Sequence, residues 1–110
     1  MKSSLINHTV VEFPSEELLE LRKRQLLEVS DEFFAKASKM GLLRYTISKI
    51  WNKTEAHKLC FTFEYKDEKS FVACQTLLDK YHAPQIKSFV NKVVGSRGIV
   101  LHEFTSEDFN

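Results

Sequence analysis

The segment running from His57 to Tyr65 constrains this chain more than any other stretch. Leu59, Phe61, Phe63 and Tyr65 alternate strictly with Cys60, Thr62 and Glu64. Neighbouring side chains on a strand point to opposite faces, so this period of two predicts a strand with one aromatic, core-forming face. A sheet that is apolar on one side needs a second layer there. The same chain must supply that layer, because 110 residues leave room for a single domain.

The flanking sequence provides the other elements. Leu5 to Phe13 is rich in Val, Ile, Thr and Phe and reads as a first strand, stopped by Pro14-Ser15. Ser15 is a good helix N-cap, with Glu16 and Glu17 in the first turn where the helix dipole favours negative charge. Leu19, Leu26, Val29, Phe33, Ala37 and Met40 then form an apolar stripe at helical spacing. The basic residues at 22, 23, 24, 36 and 39 are expected on the solvated face. Gly41 stands where a left-handed residue ends the helix, about 25 residues and near 38 Å long. Leu43, Tyr45, Ile47 and Trp51 predict a second strand, and Asn52 to Ala56 a hairpin loop into the third. Asp67 caps a second helix through Phe71, Leu77, Leu78 and Tyr81. Pro84 is expected to split it and open a further helical piece through Ile86, Phe89, Val90 and Val93. Gly95 and Gly98 are expected to frame a turn into a last strand, Ile99 to Phe104, and residues 105–110 to form a loose tail.

The order β-α-β-β-α-β is the ferredoxin-like plan, an α+β fold in which helices cover one face of a four-stranded antiparallel sheet. The other face stays open. It would carry Cys60 and part of the first strand, and pairing with a second copy would close it, so a homodimer is expected. Cys60 and Cys74 lie among apolar residues without metal-site or C-x-x-C spacing and read as small hydrophobes.

Composition narrows the partners. With 16 basic against 15 acidic residues the net charge is +1, and no basic stripe interleaves with exposed aromatics, so no nucleic-acid partner is expected. No apolar run is long enough to span a membrane, and the first residues make no signal h-region, so a cytoplasmic location is expected. Gly41, Gly95 and Gly98 are the only glycines and form neither a phosphate loop nor a dinucleotide fingerprint. No cofactor and no metal are expected.

The informative residues are the histidines. His8 lies in the first strand and His57 opens the third; these strands should be neighbours, and we expect them parallel. If His8 shares the helix-facing side with Ile6 and Val10, it joins His57, Leu59, Phe61 and Phe63 around one cavity. His82 would sit at its roof, at the break in the second helical region. Imidazoles titrate near neutrality and can exchange protons with a carbon acid or enolate. Tyr45 and Tyr81 could hydrogen-bond a developing oxyanion. His102 reads as structural.

These residues resemble a known family. Ile6-Asn7-His8-Thr9-Val10-Val11-Glu12-Phe13 and His57-Lys58-Leu59-Cys60-Phe61-Thr62-Phe63-Glu64 resemble the first and third strands of the stress-responsive α/β-barrel proteins, within the dimeric α/β-barrel superfamily. Tyr81-His82-Ala83-Pro84 is similar to the His-Pro-x-His-like element that ends their later helix. The resemblance implies homodimers with packed sheets. One branch is a polyketide cyclase using histidines at positions matching His8, His57 and, with a short insertion, His82; Cys74 stands where that branch has a helical Tyr. Haem-degrading relatives use an Asn, a Trp and a His. Asn7 matches the first, but Cys74 also falls near the Trp position, so haem is not expected.

The expectation is a small dimeric barrel that binds an apolar, carbonyl-containing molecule. Cofactor-free acid/base chemistry would fall to His8 and His57, with His82 or Tyr45 orienting the ligand. The alternatives are a non-catalytic ligand-binding or stress-related dimer and a monooxygenase-like barrel without flavin or metal. A pocket shared by His8, His57 and His82 would favour catalysis; three separate environments would defeat the enzyme hypothesis built on them.

Overall fold

The computed structural model describes residues 3–52, 56–82, 90 and 92–109. Its elements run β1 (Leu5–Phe13), α1 (Glu16–Ser38), β2 (Leu42–Lys49), β3 (His57–Tyr65), α2 (Glu68–Tyr81) and β4 (Lys92–Ile99), followed by a 3-10 turn at Ser106–Phe109. This is the ferredoxin-like β-α-β-β-α-β order, and the sheet order is β2-β3-β1-β4. Both predicted caps are in place, with Ser15 Oγ accepting from the Leu18 amide at 3.3 Å and Asp67 from the Ser70 amide at 2.8 Å.

Every strand pair is antiparallel, including β1 and β3, which we expected to be parallel. The reason is topological. The α1 crossover brings β2 back in the direction of β1, and β3 returns by a hairpin and inserts between them. It therefore opposes both.

Register and burial together assign the faces. Leu5, Asn7, Thr9, Val11 and Phe13 of β1 pair with Tyr65, Phe63, Phe61, Leu59 and His57 of β3 on the side that the helices cover. Leu19, Leu26, Phe33 and Ala37 of α1 close over this side and are buried with them. Ile6, His8 and Val10 lie with Cys60, Thr62 and Glu64 on the opposite, open face. His8 thus does share a side with Ile6 and Val10, but it is the wrong side for the expected cavity.

The last strand also differs from expectation. It occupies Lys92–Ile99, so Gly95 and Gly98 sit inside it, opposite Thr9 and Ile6, rather than framing a turn. The β-branched pair Val93-Val94 finds Val11 and Val10 as cross-strand partners. That pairing outweighs the glycines' poor strand preference. The predicted helical piece after Pro84 falls largely on residues 83–89, outside the described residues; Val93, its last apolar position, lies in β4. Trp51 lies beyond the end of β2 and is 87% exposed.

Candidate functional site

The helix-facing side of the sheet is not filled completely. A cavity of about 180 Å³ opens between the sheet and α2, lined by Asn7, Thr9, Val11, Phe61, Phe63, Leu78, Asp79 and His82. Its walls are mostly apolar, and its polar groups are few, the arrangement expected of a small-molecule site.

His82 is the C-cap of α2, and the end of that helix holds its ring over the sheet. The imidazole meets Phe33, Tyr45, Phe61 and Phe63 edge-on, with centroids 5.2 to 5.6 Å apart. Its Nε2 lies 3.0 Å from the Tyr45 hydroxyl, and either neutral tautomer satisfies that contact. Burial, reinforced by the nearby Arg22 cation, pushes the imidazole down to about 4. Burial likewise raises Tyr45, so its phenol stays protonated. At neutral pH the pair is a neutral imidazole and a neutral phenol. Such a pair donates and accepts hydrogen bonds at an oxygen; it is a poor reservoir for a proton.

The expected three-histidine cavity is not assembled. His8 is exposed on the open face, with Nδ1 3.2 Å from Thr62 Oγ1. His57 faces the helix side but lies at the end of the sheet, with Nδ1 3.2 Å from Glu16 Oε2, and Glu16 is shared with Lys49. In the register His57 stands opposite Phe13 and His8 opposite Thr62. Five residues of strand, about 17 Å, therefore separate them along the sheet. Of the four proposed residues, the fold brings together Tyr45 and His82 and leaves His8 and His57 in separate places. Tyr81 is engaged elsewhere: its hydroxyl donates to Glu32 at 2.7 Å and accepts from Lys36 Nζ at 3.0 Å. His102 is exposed and packs on Phe104.

Two polar residues of this region stand outside the expected site: Asn7 enters the sequence reading only through its match to the Asn of haem-degrading relatives, and Arg22 as a solvated residue. Asn7 is 7% exposed, and among the described residues its side-chain amide has no partner, although it lines the cavity. The clue was parity, since Asn7 shares the odd positions with Leu5, Val11 and Phe13. Arg22, expected in solvent, is 6% exposed and donates from Nη2 to the His82 carbonyl at 2.7 Å. It falls three residues after Leu19 and four before Leu26, on the apolar stripe itself.

Comparison with solved structures agrees with this fold. The chain superimposes with a TM-score of 0.84 on a dimeric ferredoxin-like protein from an uncultured marine organism, at 35% identity over 94% of this chain and 93% of that one. A second dimeric ferredoxin-like protein from an uncultured marine organism gives 0.84 at 24% identity, covering 94% and 100%. A putative antibiotic biosynthesis monooxygenase from Bacillus cereus shares the fold at a TM-score of 0.60 and 8% identity, covering 94% and 99%. No curated protein matches the sequence. The comparisons do not confirm the narrower stress-responsive resemblance, which rests on short sequence motifs. Residues 2–100 match the family described as a domain of unknown function, DUF6974, and the chain belongs to that family.

Proposed function

We propose that the cavity beneath α2 binds a small apolar molecule carrying a carbonyl group, and that neutral His82, with Tyr45 as its hydrogen-bond partner, polarises that carbonyl together with the Asn7 amide. The observation that carries this reading is the Asn7 amide, 7% exposed, without a partner among the described residues and lining a cavity whose walls are mostly apolar. What exposure it keeps is to that cavity, where a ligand oxygen or a water would meet it. Polarising a carbonyl acidifies the neighbouring carbon. Asp79, the one carboxylate lining the cavity, is the group placed to take that proton. His82, held neutral, is assigned to the oxygen end and not to the carbon. His8 and His57 keep no role in this cavity. The ligand site sits on the covered side of the sheet, so the open face is free for pairing with a second copy, and we assign the homodimer to that face.

The test combines binding with exchange. Purified protein is extracted and the extract searched by mass spectrometry for a co-purifying ketone. The protein is also titrated with methyl 4-oxo-4-phenylbutanoate, and deuterium uptake beside the ketone is followed by NMR in D2O. Saturable binding weakened by Asn7→Ala and His82→Phe is expected. So is uptake above the buffer rate, lost in Asp79→Asn with binding retained. Binding without uptake would make this a binding module and no enzyme. Failure of both extraction and titration, with the fold intact, would end the ketone reading.

A further inference from the structure

Arg22 is the one cation buried at the site, and nothing in the described structure neutralises it. Its guanidinium has five N–H donors, and one hydrogen bond, to the His82 carbonyl, uses a single donor. Among the described residues no carboxylate pairs with it. Burial lowers its proton affinity. A buried cation gains from an anionic partner.

The surroundings say where a counter-ion would enter. Arg22 borders a gap of about 10 Å³, room for one oxygen-sized group, and Val11, Phe61 and His82 form part of its wall. The same three residues also line the larger cavity. The two spaces share that wall, so a molecule whose apolar body fills the larger one brings an end group to the side of the gap that Arg22 borders. Arginine in this setting recognises planar anionic oxygens, carboxylates above all.

We infer that the ligand of this cavity is a keto acid with an apolar body, and that Arg22 anchors its carboxylate while the carbonyl meets Asn7 and His82. The inference rests on the ketone reading of the cavity and adds a charge to its ligand.

The experiment compares 4-oxo-4-phenylbutanoate with its methyl ester by isothermal titration calorimetry, on the wild-type protein and on Arg22→Met and Arg22→Lys. The acid is expected to bind at least about tenfold tighter than the ester, the scale of one charge-assisted hydrogen bond. Arg22→Met should erase that preference, read as the ratio of acid to ester affinity because Arg22 also holds the His82 carbonyl, while Arg22→Lys should keep part of it. Equal binding of acid and ester by the wild type would overturn the inference and leave the ketone reading standing. Binding of neither would remove both. A preference that survives Arg22→Met would reduce Arg22 to a cap on the end of α2. Should Arg22→Met not fold, the wild-type ratio together with Arg22→Lys decides: a wild-type ratio near one, or a preference that Arg22→Lys leaves undiminished, counts against the anchor.

Discussion

His82 ties the chemistry of the cavity to the stability of the fold through one proton. Its imidazole is held at about 4, against an ordinary value of 6.5, because protonation would place a charge among aromatic rings and beside Arg22. Between those two values the unfolded chain binds the proton and the folded chain does not. Stability contributed by the neutral ring is therefore complete above the unfolded value and is lost as pH falls toward 4. The full shift corresponds to on the order of 3 kcal/mol. Glu16, Glu32 and Asp67 are held below the ordinary carboxylate range by their hydrogen bonds, mainly to Lys49, Tyr81 and Ser70. Their contribution also fades on acidification, at lower pH, and they persist in a His82 variant. The difference between wild type and His82→Gln isolates the imidazole. Urea unfolding at pH 7 and pH 4.5 should show the wild type losing more stability than His82→Gln over that interval; parallel losses would show that the ring is not desolvated. Part of this site was legible in the sequence. His82 and Tyr45 were singled out because an imidazole and a phenol announce themselves by chemistry. Asn7 and Arg22 announce nothing by type, and their significance lies in parity and stripe position, which residue chemistry alone does not reveal.

At the scale of elements, the sharpest requirement falls on Gly41. Its φ of 108° is left-handed, and a Cβ there would lie 1.9 Å from Ser70 Oγ and 2.4 Å from Ser70 Cβ. The residue lies two positions beyond the Lys39 C-cap, turns the chain into β2 and lets the first turn of α2 approach at the same point. Gly41→Ala should cost well over ~1 kcal/mol, since it adds backbone strain to a collision with α2. Ser15→Ala, which removes only the cap on the Leu18 amide, should cost ~1 kcal/mol. Thermal unfolding ranks the two; a Gly41→Ala protein as stable as the wild type would mean that α1 and α2 are free to separate. The elements that local chemistry specifies were read correctly. β1 and β3 announce themselves by composition and alternation, and both helices by their caps. β4 was misplaced because its signal is weak where two glycines interrupt it, and what holds it is the Val10 and Val11 ladder, a tertiary partner. The direction of β1 against β3 belongs to connectivity, which no single segment carries.

For the whole molecule the remaining question is what covers the open face. The radius of gyration is 14.7 Å and the shortest extent 21 Å. A compact domain of this length would have a radius of about 13 Å. The excess fits a two-layer sandwich whose second face is bordered only in part, by residues 102–108 beside Ile6 and Glu64. Val10 is only half-buried there, Val94 beside it is 46% exposed, and Leu101 and Phe104 beyond β4 are 95% and 72% exposed. These groups lie apart from the cavity, which is on the covered side, so closing the open face and filling the cavity are separable events. Charging the face should therefore split the assembly without emptying the site. Light scattering behind a sizing column is expected to give a mass of twice 12.8 kDa for the wild type and 12.8 kDa for the double variant Val10→Asp, Val94→Asp. A specific pair of this kind typically buries roughly 800 Å² per copy. The monomeric variant should keep a cooperative unfolding transition, because neither side chain belongs to the core, and it should still bind the aryl ketone ester. A monomeric wild type would leave the bare face unexplained by self-association. A double variant that loses ketone binding while staying folded would show that the second copy shapes the cavity from behind the sheet.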